Sequence, residues 1–351
     1  MNIVSILIAI LVFFVIVILH EAGHCIAAKL CGIRVNKFAV GMGPVLLAKE
    51  FGETEYSLRL FPVGGFCAME GEDDASDDPR AFRNKPVWQR MIVVLAGPLM
   101  NLILGFLIII VTTVLYGNVG TLTIVDFRYD PDTNECISSC ADTGLQIGDT
   151  ILKIDGMTIL TDTDLSYKLS TSDRDTMEVI VRRDGEKLTL PAVTFRNKLN
   201  DTRLDFFVKA EPLNVWNTIH YSFLETISTG RLIWTSFRDL VSGKYGFHDL
   251  TGPIGIVTTI GEAASYGETF KQHLTSVLSL ASFITVNVGI FNLLPIPALD
   301  GARFVFLVIE GIRRKPIPPE KEGMVHFVGM ALLFLLMIAV TFQDITRLFA
   351  K

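Results

Sequence analysis

The sequence predicts a polytopic α-helical membrane protein with four transmembrane helices, a membrane-associated β-hairpin region and an inserted mixed α/β domain. Composition is the first observation: half of the 351 residues are hydrophobic, only 19% are charged, and the mean hydropathy is +0.45. A soluble domain carries about 25% charged residues, and disorder needs low hydrophobicity. Distribution is the second: the apolar residues fall into four uncharged runs, Ile3–Leu19, Met91–Tyr116, Leu274–Leu299 and Gly323–Phe342, with charged sequence between them. Three of these reach the ~20 residues that cross a ~30 Å hydrocarbon core. The first is shorter, but its helix can continue past Leu19. Net charge is −6, from 31 basic and 37 acidic residues, so no basic face for nucleic acid is present.

Taken in order, residues 1–30 form the first transmembrane helix. It has no basic n-region and no small-x-small cleavage site, so a retained helix is expected rather than a signal peptide. Residues 35–69 read as a β region at the membrane face. Val35–Val40, Tyr56–Leu60 and Phe66–Met69 are short strand-like stretches, with turns at Gly41-Met42-Gly43-Pro44, Phe51-Gly52 and Pro62-Val63-Gly64-Gly65. Residues 70–90 are an acidic loop and juxtamembrane segment. Glu70, Glu72, Asp73, Asp74, Asp77 and Asp78 do not follow the calcium-loop pattern, so a solvated, mobile loop is expected. The second helix spans 91–116.

Residues 120–210 alternate in short strands. Asp184-Gly185 signals a hairpin, and Thr161-x-x-Asp164 opens a short helix with Leu165 and Leu169 on one face. Residues 213–245 are amphipathic: Trp216, Ile219, Phe223, Ile227, Ile233 and Phe237 recur at helical spacing, with a break expected near Gly230. The charges in this segment argue against a span and for a helix on the membrane or packed on the soluble domain. The third transmembrane helix covers 274–299 and the fourth 323–349. The short loop between them carries Arg303, Arg313, Arg314, Lys315 and Lys321 and is expected on the cytoplasmic side, which makes 25–90 cytoplasmic and 117–273 extracytoplasmic. Five cysteines exclude a complete disulfide framework; Cys136 and Cys140 can pair or stay free.

His20-Glu21-Ala22-Gly23-His24 carries the chemistry. Histidines at i and i+4 share a helix face, both can bind one metal ion, and Glu21 beside them can take a proton from water. Ionisable groups at the end of an apolar helix are expensive and usually functional. A catalytic zinc site has three protein ligands and an open position. Asp300 is the best third ligand, in Asn292-Leu293-Leu294-Pro295-Ile296-Pro297-Ala298-Leu299-Asp300-Gly301; His326 is an isolated alternative. Pro295 and Pro297 interrupt helical hydrogen bonding, and open backbone at membrane depth must be buried or line a wet cavity. The competing reading makes Asp300 the N-cap of a helix from Ala302.

These motifs resemble the site-2 protease family of intramembrane zinc metalloproteases, of the bacterial regulator-of-sigma-E protease type. The resemblance rests on His20-Glu21-x-x-His24, Ala96-Gly97-Pro98-Leu99-Met100-Asn101 and Asn292-x-x-Pro295-x-Pro297-x-Leu299-Asp300-Gly301. Gly41-x-Gly43-Pro44 and Phe61-Pro62-x-Gly64-Gly65 resemble the family's membrane-reentrant β region. The segment from Gly144 to Gly156 resembles a PDZ domain, present once, and Gly252-Pro253-Ile254-Gly255-Ile256 resembles the stretch before the third helix.

The resemblance implies a protease of the bacterial cytoplasmic membrane that cuts transmembrane segments. Its active site would lie near the cytoplasmic side, with the PDZ-like domain extracytoplasmic. It implies Zn2+ on His20, His24 and Asp300, with Glu21 as the base that draws a proton from the attacking water. Asn292, Asn101, Gly43, Pro295 and Pro297 are implied to meet the substrate. The implied partners are anti-sigma factors or signal-peptide remnants, an upstream site-1-type protease acting on the same substrate, and the lipid bilayer. A membrane scaffold that recruits partners through the PDZ-like domain is the alternative, and Glu21→Gln separates the two. A transporter is disfavoured by the lack of internal repeats.

Overall fold

An apolar run without charges must satisfy its backbone polar groups internally, and in lipid a helix does so. The computed structural model describes residues 3–72, 76–172, 174–196, 198 and 205–349. In chain order these form α1 (Ile3–Leu30), β1 (Val35–Phe51), β2 (Thr54–Met69), α2 (Val87–Tyr116), β3 (Asn118–Phe127), α3 (Ser139–Asp142), β4 (Thr150–Ile154), β5 (Met157–Thr158) and α4 (Asp162–Thr171). There follow β6 (Thr176–Arg183), β7 (Glu186–Thr194), β8 (Phe206–Pro212), α5 (Val215–Val241), α6 (Pro253–Ser265), α7 (Phe270–Asn292), α8 (Asp300–Arg313) and α9 (Pro319–Phe349). Four helices are long and apolar enough to cross a membrane, over Ile6–Leu30, Val87–Tyr116, Phe270–Asn292 and Glu320–Arg347. The protein is a membrane protein with an added β-sheet region. The chain divides into two units, Met1–Ile108 with Ser236–Lys351, and Ile109–Thr235.

In the first unit, α1 runs unbroken through the His-Glu-x-x-His motif to Leu30. Ala9 and Ile16 of α1 pack with Ile260 of α6 and Ile284 of α7 in one buried cluster. A second cluster joins Cys25, Ala28, Val93 and Leu307 to Ile33, Val35 and Cys67 of the β region. The β region is one long hairpin with irregular register. Phe38 lies against both Cys67 and Tyr56, and Tyr56 also pairs with Lys49. The short strand runs expected from sequence are therefore present, and both chains bend sharply between them. The bends fall where turns were expected, with Gly41 and Gly43 at φ +82 and +85, a region that only glycine enters without strain.

The third span is shorter than the sequence suggests: α7 stops at Asn292, not at residue 299. Pro295 and Pro297 lack the N–H that would continue the ladder, so Leu293–Leu299 forms a loop and α8 starts at Asp300. The 253–265 stretch is a helix that the sequence reading did not separate, with Pro253 at its first turn. The amides of Gly252 and Gly255 donate to the Asp344 carboxylate of α9, which closes the N-terminus of α6.

The acidic loop is not a freely solvated segment. Glu70 accepts from Asn36 and Ser76, Arg80 pairs with Asp78 and with Glu53, and Glu72 pairs with Arg303. Asp73 and Asp74 lie outside the described residues. The Arg34, Arg80 and Arg303 side chains recruit these carboxylates from other parts of the fold, which a local charge count cannot register.

In the second unit a sheet of strand order β7-β6-β4-β3-β8, with β5 beside β4, encloses a core of Ile124, Ile151, Ile154, Leu165, Leu169, Val179, Val181 and Phe195. Asp184 and Gly185 make the β6–β7 turn at φ 52 and 88. Leu165 and Leu169 of α4 face inward, but Thr161 does not cap the helix through its side chain. Asp164 instead accepts from the Leu160 amide and Ser228 and pairs with Arg231. Thr163 donates to Glu225, and Tyr221 to Asp162. This polar seam holds α5 as one continuous helix, so the break expected near Gly230 is absent. Cys136 and Cys140 are free thiols. Burial pushes the Cys140 thiol up, aided by the neighbouring Asp205 carboxylate.

Candidate metal centre

Helix periodicity places His20 and His24 one turn apart, and the loop after α7 returns the chain so that Asp300 meets them. His20 Nε2 lies 3.1 Å from Asp300 Oδ2, His24 Nε2 lies 3.4 Å from the same oxygen, and the two Nε2 atoms are 3.3 Å apart. A tetrahedral ion with bonds of ~2.0–2.1 Å separates its donor atoms by about 3.3 Å, so the triangle has the edge length of a zinc site.

The surrounding hydrogen bonds turn lone pairs inward. His24 Nδ1 donates to the Val93 carbonyl at 2.8 Å, which leaves its Nε2 as an acceptor. His20 Nδ1 faces the Asn101 side-chain amide at 3.2 Å. Asn101 is fully buried, and its Oδ1 has no hydrogen-bond partner. The two ends of an amide are told apart by hydrogen bonding. With Oδ1 turned to the ring, Asn101 accepts the Nδ1 proton, and His20 Nε2 also points a lone pair at Asp300. The Asp300 Oδ2 is itself buried without a hydrogen-bond donor. Two imidazole nitrogens and one carboxylate oxygen thus meet within 3.4 Å of one another. The donor set therefore fits Zn2+, which accepts imidazole and carboxylate ligands.

Close helix packing makes room for the ligands. A side chain on Gly97 of α2 would collide with the His24 ring, and one on Gly23 with the Ala96 carbonyl. The Ala96-Gly97-Pro98 motif is thus the surface against which the motif of α1 seats. Asp300, the first residue of α8, follows an N-cap residue, Leu299, that gives no side-chain cap. A helix does follow, as the competing reading required, while the carboxylate is directed to the histidines.

A cavity of about 490 Å3 opens over this triangle, lined by Glu21, Phe66–Met69, Glu72, Val94 and Arg303 beside the three candidate ligands. The Phe66–Met69 run has Val35–Ala39 on one side and the cavity on the other. Glu21 is half-buried, and a Cβ at Gly65 would lie 3.2 Å from its Cγ. Not every residue implied to meet substrate is here. Gly43 sits in β1, where its carbonyl accepts from Arg59. Asn292 ends α7 and donates back to the Val288 carbonyl. Pro295 and Pro297 shape the loop before Asp300. Asn101 backs His20 rather than facing the cavity. The sequence reading named the Phe66–Met69 strand but missed Val93 and Glu72, neither of which carries a local signature. His326, the alternative ligand, accepts from the Ala298 amide instead.

A family model described as peptidase family M50 matches residues 8–336. This chain belongs to peptidase family M50. Among relatives, one from Clostridium acetobutylicum, named a zinc metalloprotease, is 34% identical over 351 residues and covers 98% of each chain. The regulator of sigma-W protease RasP of Bacillus subtilis is 31% identical over 425 residues, covering 97% of this chain and 98% of its own. The zinc metalloprotease RasP of Bacillus licheniformis is 31% identical over 423 residues with the same coverage. As an M50 peptidase, of the site-2 protease kind, the protein is a membrane zinc metalloprotease with Zn2+ as its cofactor.

Proposed function

We propose that His20, His24 and Asp300 hold the zinc and that Glu21 is the general base for cleavage of peptide bonds within or near transmembrane segments. The observation that carries this reading is the convergence of two imidazole nitrogens and a carboxylate oxygen, 3.1–3.4 Å apart, below a cavity that also holds Glu21. Bound zinc would polarise the scissile carbonyl and lower the pKa of water. Glu21 takes the proton of the attacking water and passes it to the leaving nitrogen. His24 and His20 are kept in register by Val93 and Asn101.

A helical substrate hides its peptide bonds, so it must open into an extended strand. The cavity-side edge of Phe66–Met69 is suited to pair with such a strand. Residues 120–210 are read as a PDZ-like domain that screens substrates for prior trimming by an upstream protease. Charge in the loop after α8 supports a cytoplasmic position for the site and an extracytoplasmic one for that domain. The name of the Bacillus subtilis relative supports an anti-sigma factor as substrate class, with signal-peptide remnants as a further one. The exposed apolar stripe of α5, including Trp216, Phe223 and Ile227, supports its lying at the membrane interface.

Glu21→Gln tests the reading in one preparation. The variant should retain one zinc per chain, lose cleavage by about three orders of magnitude or more, and co-purify with the uncut substrate. A variant that still cleaves sinks the assignment of the base, and a wild-type protein without zinc sinks the assignment of the ligands.

A further inference from the structure

Between residues 321 and 330, α9 is exposed except at Glu322, His326 and Gly329. These lie four and three residues apart, on one stripe of the helix. The stripe meets the loop that delivers Asp300. His326 Nδ1 accepts the Ala298 N–H at 3.0 Å, and the imidazole stands edge to face on Phe306 of α8 at 5.7 Å between ring centroids. One turn later a Cβ on Gly329 would run into Pro297, with its carbonyl oxygen 2.7 Å away.

The internal bonds of the loop run from Leu294 to Phe291, Ile296 to Leu294 and Leu299 to Ile296, while the Ala298 amide bonds outward to His326. Ala298 has φ +79, a left-handed conformation that costs a non-glycine residue of order 1–3 kcal/mol and persists only where the surroundings impose it. It lies two residues before Asp300, so relaxation of Ala298 would swing the carboxylate away from the histidines.

We infer that His326 is a positioning residue: its neutral imidazole, accepting the Ala298 amide, holds the Pro295–Leu299 loop in the strained form that aims Asp300 at the zinc. α9, which contributes no ligand, thereby sets the geometry of the third one. The proton of His326 sits on Nε2, because Nδ1 is the acceptor. This inference rests on the ligand assignment above and adds to it a residue outside both zinc-binding motifs.

Two substitutions separate the hydrogen bond from packing. His326→Phe keeps a ring against Phe306 and removes the acceptor. His326→Asn loses the ring and keeps an acceptor where Nδ1 stood. Zinc affinity of the purified full chain in detergent, measured by competition with a chelator, should fall ~10–100-fold in the Phe variant, the range for loss of a group that orients a ligand. The Asn variant should stay within about threefold of wild type. On a peptide substrate of the zinc-loaded protein, the Phe variant should lose kcat with KM unchanged. Wild-type zinc affinity in the Phe variant overturns the inference, and so does an Asn variant as weak as the Phe variant. A wild-type chain that binds no zinc instead removes the ligand assignment, and this inference with it.

Discussion

The two histidines of the candidate centre are each oriented by a neighbour on α2. His24 is oriented by a backbone carbonyl of α2, and no side-chain type at position 93 would betray that. His20 is oriented by Asn101, which is fully buried. Its proximity to the His-Glu-x-x-His motif arises across 81 positions of sequence. Asn101→Ala should weaken zinc binding ~10–100-fold, while Asn101→Asp, which keeps an acceptor for the Nδ1 proton, should bind within a few-fold of wild type. Equal affinity for all three proteins, measured by chelator competition, would show that Asn101 does not orient His20. Sequence alone named the candidate ligands at this scale, because a metal favours certain ligand types and a helix dictates their spacing.

At the scale of elements, the seam between α4 and α5 concentrates buried charge. Burial raises the Glu225 carboxyl above its ordinary value of 4.5, opposed by the hydrogen bond from Thr163. A carboxyl whose folded pKa is raised binds its proton more tightly in the folded state. Its contribution to stability is therefore complete below the unfolded value and is lost as pH rises through the folded one. Glu225→Gln should remove that loss. Hydrogen exchange of the α4 amides should be slower in the Gln variant than in wild type at pH 8, with the difference shrinking toward pH 5. A difference independent of pH would assign the effect to packing.

The hairpin of β1 and β2 offers a second test at this scale. Gly43 stands at φ +85, and proline is held near −65°. Gly43→Pro should disturb the bend that lets β2 present Phe66–Met69 to the cavity. Cleavage should be lost while zinc remains bound; full activity would remove the strand edge from the mechanism. The bends themselves were legible as Gly-Pro clusters. The double pairing of Phe38 was not, because register depends on which strand each face finds.

For the molecule as a whole, the two units invite separate roles: the first holds the candidate centre and three of the four candidate spans entire, the second an independent core of Ile, Val, Leu and Phe. If the second unit screens substrates, deletion of residues 121–209 should allow cleavage of untrimmed substrates that the full chain leaves intact. Their continued resistance, with trimmed substrates still cut, would end the screening proposal.

The membrane class, the number of spans, the His-Glu-x-x-His helix and the candidacy of Asp300 were determined by the sequence itself. Each rests on a local rule: the length needed to cross a bilayer, the helical repeat, the missing N–H of proline. The continuity of α5, the engagement of the acidic loop, the cavity beside Phe66–Met69 and the Ala298–His326 bond were decided by tertiary structure. All four depend on partners distant in sequence, among them Arg303 for Glu72, Asp164 for Ser228 and Arg231, and the α9 stripe for the loop. A local pattern carries a residue's own preference, whereas the strength and direction of a polar contact depend on which buried group the fold brings within 3 Å of it.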